Sequence, residues 1–462
     1  MADPMQTLRQ TEFSRLDATG QIYLDYTGGG LYAESQIRAH ADTLLSGVFG
    51  NPHSTNPTSL ASTHNVEAAR ERIRRFFNAS ADEYEVVFTL NASGALKLVG
   101  ESFPFSEGST FVLTADNHNS VNGIREFARH KGADVRYLPL TRELRAENVE
   151  KLLSEIAFSQ PSLFGFPAQS NFSGVKHPLE WVKMAKDLGF YTLLDAAAFV
   201  PSSRLDLSIV KPDFVSVSFY KMFGFPTGVG ALIVRRDAMH ILERPWFGGG
   251  TVKFVSAQNE RHLLAASGEA FEDGTLNYLS IAGVPVGLDF VESVGIDAIN
   301  AHVTRLTGYL LEQLLALKHS NGKPLLHIYG PTENVKRGGT VSFNVMDPNG
   351  SEIYHKRVED AAAQANISIR AGCFCNPGAA EFAFQYAAVR SYQCFDTISP
   401  EEFTLQQFST CMNYAPVGAI RVSVGIASNE ADIDALIAVL RAFIDAERDL
   451  TVRHTVPTYV GQ

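Results

Sequence analysis

Between residue 62 and about residue 290 the apolar positions switch repeatedly between two spacings. In "NVEAARERIRRFF", "SGALKLVGESF", "SVNGIREFARH", "NVEKLLSEIAF" and "LEWVKMAKDLG" they recur every three or four residues, which predicts helices with one buried face. Between these lie "EVVFTL", "TFVLTA", "DVRYLPL", "SLFGFPA", "YTLLDAAAF", "FVSVSFY" and "VGALIV", short runs of β-branched, aromatic and aliphatic residues that predict strands. Such alternation is the signature of an α/β domain: a mostly parallel, doubly wound sheet with helices on both faces.

Beyond residue 290 the rhythm changes. "LLHIYG", "TVSFNVM", "ISIRAG" and "IRVSVG" read as strands, with helices through "EIYHKRVEDAAAQA" and "EADIDALIAVLRAFIDAERD". Strand pairs with fewer helices predict a smaller α+β lobe. The stretch from Asn376 to Pro416, rich in Phe, Tyr and Ala, yields no clear element. In "RERIRRFF" the apolar residues Val66, Ala69, Ile73, Phe76 and Phe77 mark a buried stripe, and the arginines are expected on the wet face.

A chain of 462 residues exceeds what one core usually supports, so at least two domains, or one large domain with a smaller lobe, are expected. The formal net charge of -11, with basic residues scattered among acids, argues against a nucleic-acid or anionic-membrane surface. "MADPMQTLRQTEFSRLD" lacks the apolar core of a signal peptide, and no apolar run is long enough to span a bilayer. A soluble cytoplasmic protein is expected. Four cysteines, none in a C-x-x-C pair, do not make a disulfide framework, and reduced thiols are expected.

Open α/β sheets bind ligands where strands end, so the chemistry is expected in the residues after each predicted strand. After "EVVFTL", Ser93 and Gly94 open an apolar helix and offer a hydroxyl and free N–H groups to an anion, unless they are a plain helix cap. After "TFVLTA" comes His118, a ring that could stack on a ligand or carry a proton. After "SLFGFPA" comes Asn171, a possible donor to a phenolic or carbonyl oxygen, or a turn residue. Asp195 ends "YTLLD" among apolar neighbours, where a carboxylate is costly without a cation or strong donor. Lys221 ends "FVSVSFYK", where partial desolvation would lower its pKa and suit it to bond an aldehyde.

Each of these residues has a bland structural use. Taken together, five successive strand ends supply a phosphate seat, a ring-stacking group, an oxygen donor, an acid and an amine. That set matches the needs of pyridoxal 5'-phosphate. A dinucleotide is the competing cofactor, suggested by "YLDYTGGGL" and "GFPTGVG", but neither has the G-x-G-x-x-G spacing between strand and helix.

The motifs "SFYKMFGFPTGVGALIV", "GNPHS", "DNHNSVNGIREFA", "SNFSGVKHPLEW", "LLDAAAFV", "FGGGTV", "FEDGT" and "RAGCFCNPGA" resemble the N-terminal, cysteine-desulfurase-like domain of molybdenum cofactor sulfurases. That domain is a class V aminotransferase-type pyridoxal phosphate enzyme of fold type I, and the resemblance runs over nearly the whole chain. It implies an N-terminal segment, residues 1–30, that packs with the small domain, a large cofactor domain, 31–290, and a small domain, 291–462. It also implies that Lys221 is the Schiff-base lysine and Asp195 the partner of the pyridinium nitrogen, while His118 stacks on the ring. Ser93, Gly94 and Ser218 would hold the phosphate, with Thr251 reaching in from the second subunit of a homodimer. Asn171 would approach the phenolic oxygen and Arg421 would pair with the substrate carboxylate.

Cys373 and Cys375, in "RAGCFCNPGA", are open on sequence grounds to two readings, a buried pair or a reactive thiol. A metal half-site lacks further ligands at matching spacing, and a disulfide between cysteines two apart is strained. The resemblance makes Cys375 the nucleophile that takes sulfur from L-cysteine as a persulfide, with a glycine-flanked mobile loop giving it reach and a sulfur-acceptor protein as a possible partner. The sequence departs from the pattern at Ala198, where many desulfurases carry a polar residue, and ends at Gln462 before the C-terminal domain of the eukaryotic sulfurases. Other outcomes on the same cofactor are a C–S or C–Se lyase, a sulfinate desulfinase or a class V aminotransferase. A catalytically idle cofactor binder or docking protein on the same fold is the non-enzyme alternative.

Overall fold

In the computed structural model, which describes residues 4–448 except 400 and 402, the predicted strands of the first half assemble into one sheet. They are β1 (Tyr84–Thr89), β2 (Thr110–Thr114), β3 (Asp134–Leu138), β4 (Leu163–Pro167), β5 (Tyr191–Asp195), β6 (Phe214–Ser218) and β7 (Gly230–Arg235). The order across the sheet is β1-β7-β6-β5-β4-β2-β3. Only β7 runs antiparallel to its neighbours β1 and β6. β2, β4 and β6 are buried along their full length, because helices cover both faces and continuous apolar runs satisfy both. The exception, β3, lies at the edge, and its exposed Asp134 and Arg136 discourage pairing with another chain.

The helix predicted around "NVEAARERIRRFF" is longer than expected. α1 (Pro57–Phe76) starts from Asn56, whose side chain accepts from the Ser59 N–H, with proline at the first helical turn. Val66, Ala69 and Ile73 are buried as predicted, but two of the arginines are not on the wet face. Arg70 is buried against Glu272 at 2.6 Å, and Arg72, also buried, pairs with Asp289 and Glu292 at 2.6 Å each. Periodicity could not reveal this, since the acids lie about 200 residues away. α2 (Ala92–Ser102) follows β1 directly.

The small lobe has a second sheet of β8 (Leu326–Tyr329), β9 (Thr340–Val345), β10 (Arg370–Gly372) and β11 (Ala419–Ser423), in the order β8-β9-β11-β10 and antiparallel throughout. The expected helix in "EADIDALIAVLRAFIDAERD" spans Glu430–Arg441, opened by a reciprocal Asn429–Asp432 capping box; residue 449 lies outside the described residues. The N-terminal segment leans on this lobe. Ile22–Tyr23 pairs parallel with Ile367–Ser368, and buried Arg9 bonds Asp432 at 2.6 Å and the Ala427 carbonyl at 2.7 Å.

The unassigned stretch after Asn376 folds as α3 (Pro377–Ala383), α4 (Ala388–Thr397) and α5 (Leu405–Cys411). Cys394 and Cys411 join α4 to α5 as a disulfide, with Cα atoms 5.8 Å apart. The expectation of reduced thiols is therefore wrong for these two; Cys373 and Cys375 are free. Sequence spacing carries no information on which thiols meet in space. Among the described residues no single helix is long and apolar enough to cross a membrane.

Candidate active site

The carboxyl ends of β1, β2, β4, β5 and β6 bring the predicted residues to one rim. At the end of β1 the helix cap is Asn91, whose Oδ1 accepts from the Gly94 N–H at 3.0 Å. That frees the Ser93 hydroxyl, which meets Ser120 Oγ at 2.6 Å, and the Ser218 hydroxyl at the end of β6 accepts from the Ala92 N–H at 2.8 Å. Three hydroxyls thus gather at the N-terminus of an eleven-residue helix, an electropositive place suited to an oxyanion. Ser120 was not singled out from the sequence, although it lies within "DNHNS".

His118 follows β2, and its Nδ1 accepts from the Ser120 N–H at 3.1 Å. Burial and the charge of Lys221 push its pKa down, against the pull of Asp195, so the ring is neutral with its proton on Nε2. Asp195, at the end of β5, is nearly buried and accepts from Ser216 Oγ at 3.0 Å and the Ala197 N–H at 3.1 Å. Lys221 sits in the short helix Phe219–Phe223 after β6. Burial lowers its pKa, opposed by Asp195 and reinforced by Arg421. The cavity beside Lys221 is lined by Tyr26, Thr27, Gln169, Ala198 and Thr340, among others.

The small lobe closes the other side. Arg421 on β11 is buried; its Nη1 donates to the Asn171 carbonyl at 3.0 Å and its Nη2 to Asp25 Oδ1 at 2.9 Å. Arg370, its register partner on β10, donates from Nη2 to Asp25 Oδ2 at 2.7 Å. One carboxylate from the N-terminal segment thus holds two arginines. Neither Asp25 nor Arg370 was foreseen, although Asp25 stands in "YLDYTGGG". The glycines of that motif serve close approach rather than a nucleotide: a Cβ on Gly28 would collide with Asp25 and Arg370, and one on Gly30 would lie 2.9 Å from the Lys221 carbonyl.

The "CFC" loop lies against this rim. Cys373 is half-buried, its Sγ donates to the Val417 carbonyl at 3.2 Å, and burial pushes its pKa up to about 11. Cys375 is exposed and unbonded at sulfur, and it lies within electrostatic reach of Lys221, Arg370 and Arg421. Asn171 does not hold its amide free: Nδ2 donates to the Phe374 carbonyl at 2.7 Å and Oδ1 accepts from Asn376 at 2.8 Å. Thr251 stands apart, fully buried in its own turn with its hydroxyl on the Gly248 carbonyl at 2.9 Å.

The family model "Aminotransferase class-V" matches residues 22–436. The chain belongs to the class V aminotransferase family. Within that family it is 38% identical to a tomato (Solanum lycopersicum) molybdenum cofactor sulfurase over 458 residues, 92% of this chain and 55% of the relative. It is 36% identical to the human (Homo sapiens) molybdenum cofactor sulfurase over 466 residues, 96% of this chain and 51% of the relative. The chain therefore spans about half the length of these curated relatives. The apo structure of a cysteine desulfurase from Thermococcus onnurineus NA1 superimposes with a TM-score of 0.78 at 24% identity, covering 97% of this chain and 99% of that one. The likeness in fold places this class V chain in the α/β, fold type I architecture.

In this class V site the Asp25 carboxylate pairs with buried Arg421 and with half-exposed Arg370, and its removal leaves Arg421 uncompensated. Asp25→Ala is expected to cost about 3–5 kcal/mol of stability, read as a lower urea midpoint at unchanged slope. A loss under about 1 kcal/mol would mean that the pair is screened as at a surface.

Proposed function

We propose that this protein is a pyridoxal phosphate-dependent, cysteine desulfurase-like enzyme that takes sulfur from L-cysteine and leaves alanine and a persulfide on Cys375. The observation that carries the reading is the division of labour between two sulfurs. Cys373 is spent on a backbone carbonyl with its thiol held protonated, whereas Cys375 is open and lies within electrostatic reach of Lys221 and Arg421.

The residues fit the cofactor. Lys221 has the depressed basicity needed to bond an aldehyde, Asp195 is held by two donors at a strand end within electrostatic reach of that amine, and the hydroxyls of Ser93, Ser120 and Ser218 form an anion seat, the Gly94 N–H being taken by the Asn91 cap. When bound, the cofactor supplies an electron sink for the α-carbon of an amino acid. Asp195 supplies the negative charge that favours a protonated ring nitrogen. With the cofactor bound, His118, neutral, would cover its ring and could hold a proton at Nε2. Arg421 would meet the substrate carboxylate with its planar fork, and Lys221 Nζ would move the α-proton. In the transfer the substrate C–S bond breaks and an S–S bond forms on Cys375. The two sulfurs each pass from the thiol to the persulfide oxidation level, one electron apiece, as the substrate β-carbon takes up two electrons to become methyl, and the Cys375 thiol proton ends on alanine.

Asn171 was expected beside the phenolic oxygen. Its amide is committed to the Cys375 loop, and we assign it that role instead. We propose a homodimer in which Thr251 serves the partner's site; exposed Trp246, Phe254 and Leu263 around its turn support an interface there. A separate sulfur acceptor completes the reading.

The test is turnover of L-cysteine with a thiol reductant present. Alanine and sulfide are expected in equal amounts. Pyruvate with ammonia would favour a C–S lyase, and transfer of the amino group to a keto acid would favour an aminotransferase.

A further inference from the structure

We propose that Asn376 is the positioning residue for the Cys375 thiol, its buried amide locking the Cys375 turn onto the two large-domain loops that carry His118 and Asn171. Phe374 and Cys375 both have left-handed backbone, with φ of 56° and 54°. Residues with a Cβ seldom adopt this conformation, because the Cβ crowds the following carbonyl, and two in succession persist only where the surroundings hold them. The holding groups can be named. The Asn119 N–H donates to the Cys375 carbonyl at 2.7 Å and the Asn376 N–H to the Cys373 carbonyl at 3.0 Å. Asn171 Nδ2 donates to the Phe374 carbonyl at 2.7 Å.

Asn376 ties these together. It is fully buried, its Nδ2 donates to the Asp116 carbonyl at 2.7 Å and to Asn171 Oδ1 at 2.8 Å, and its Oδ1 accepts from the Ala379 N–H at 3.2 Å to cap α3. By presenting a donor to Asn171 Oδ1, it turns the other end of that amide, the NH₂, toward Phe374. The two amides therefore act as one unit. Asn171 in turn offers its own carbonyl to Arg421, and the Phe374 ring lies 4.7 Å from the Arg421 guanidinium carbon. The thiol turn and the arginine are thus braced against the same residue. A carboxylate at 376 would keep the helix cap and lose both donations, since it has only acceptors to set against an acceptor.

The proposal takes its catalytic consequence from the reading of Cys375 as sulfur nucleophile, while its geometry is independent of that reading. The test compares full-length wild type, Asn376→Asp and Asn376→Ala. In cofactor-free protein, amides of residues 116–122 and 370–380 should exchange with deuterium at least about tenfold faster in Asn376→Asp, with residues 191–218 unchanged. In loaded enzyme, kcat on L-cysteine should fall roughly 10–100-fold in both variants, with KM and the visible absorption band preserved, because the thiol is misplaced and the substrate site is not. Wild-type exchange in the 116–122 and 370–380 segments of Asn376→Asp overturns the proposal, as does faster exchange spread over the whole molecule. If wild type forms no persulfide on Cys375, the sulfur reading fails, and the exchange data still decide the latch.

Discussion

Lys221→Ala is expected to abolish the visible absorption of purified protein supplied with pyridoxal phosphate, and to lower turnover of L-cysteine by at least about 10³-fold. The magnitude follows from two losses at one atom. Lys221 Nζ is the only amine for which the structure combines burial, a depressed pKa and a carboxylate, Asp195, within electrostatic reach among the described residues at this rim. Alanine removes the covalent attachment and the proton carrier together. The anion seat at the start of α2, and Asp195 with its two donors, do not depend on Lys221, so weak cofactor binding should survive, measurable as fluorescence quenching. A colourless wild type that does not respond to added cofactor would remove the cofactor reading and leave the idle-fold alternative.

The second large effect is a contrast between neighbours. Cys375→Ser should reduce persulfide formation and sulfide release by about 10³-fold or more, since a hydroxyl cannot accept sulfur, whereas Cys373→Ser should keep activity within about threefold. Mass spectrometry after a single addition of L-cysteine should find the extra sulfur on the 375 side chain. Alkylation offers a check that needs no turnover. With a pKa of about 11, Cys373 is a thiolate in roughly one molecule per thousand at pH 8, so Cys375 should be modified first. The rate at Cys373 should climb about tenfold per pH unit toward pH 11. The sign for stability is the reverse: the folded state keeps a proton that the unfolded chain releases above about pH 9, so this contribution fades between about pH 9 and 11. Full activity of Cys375→Ser on L-cysteine would end the persulfide mechanism.

The strand ends were legible because each obeys a local rule. Asp195 and Lys221 stand out as charged residues closing apolar runs, and Ser93 and Gly94 as small residues opening a helix. Asp25 and Arg370 were not legible, because a surface-looking Asp and an ordinary strand Arg acquire meaning only when residue 25 meets residue 421 across almost the whole chain. The same holds for Asn376, which local pattern marks only as a helix cap, and for the Cys394–Cys411 link inside a stretch without periodicity. The loop expected to be mobile is pinned by hydrogen bonds that come from, or reach to, distant loops or its own turn.

What the amino-acid sequence determined by itself was the architecture and the kind of chemistry: periodicity dictates which faces are buried, and the identity of an amine, an acid and a thiol dictates what they can do. Which of two thiols is available, which carboxylate restrains the arginine and what holds the nucleophile still were decided only by the tertiary structure. Burial, hydrogen-bond partners and charge neighbours are properties of groups brought together in space, and those set the pKa and the freedom of each side chain.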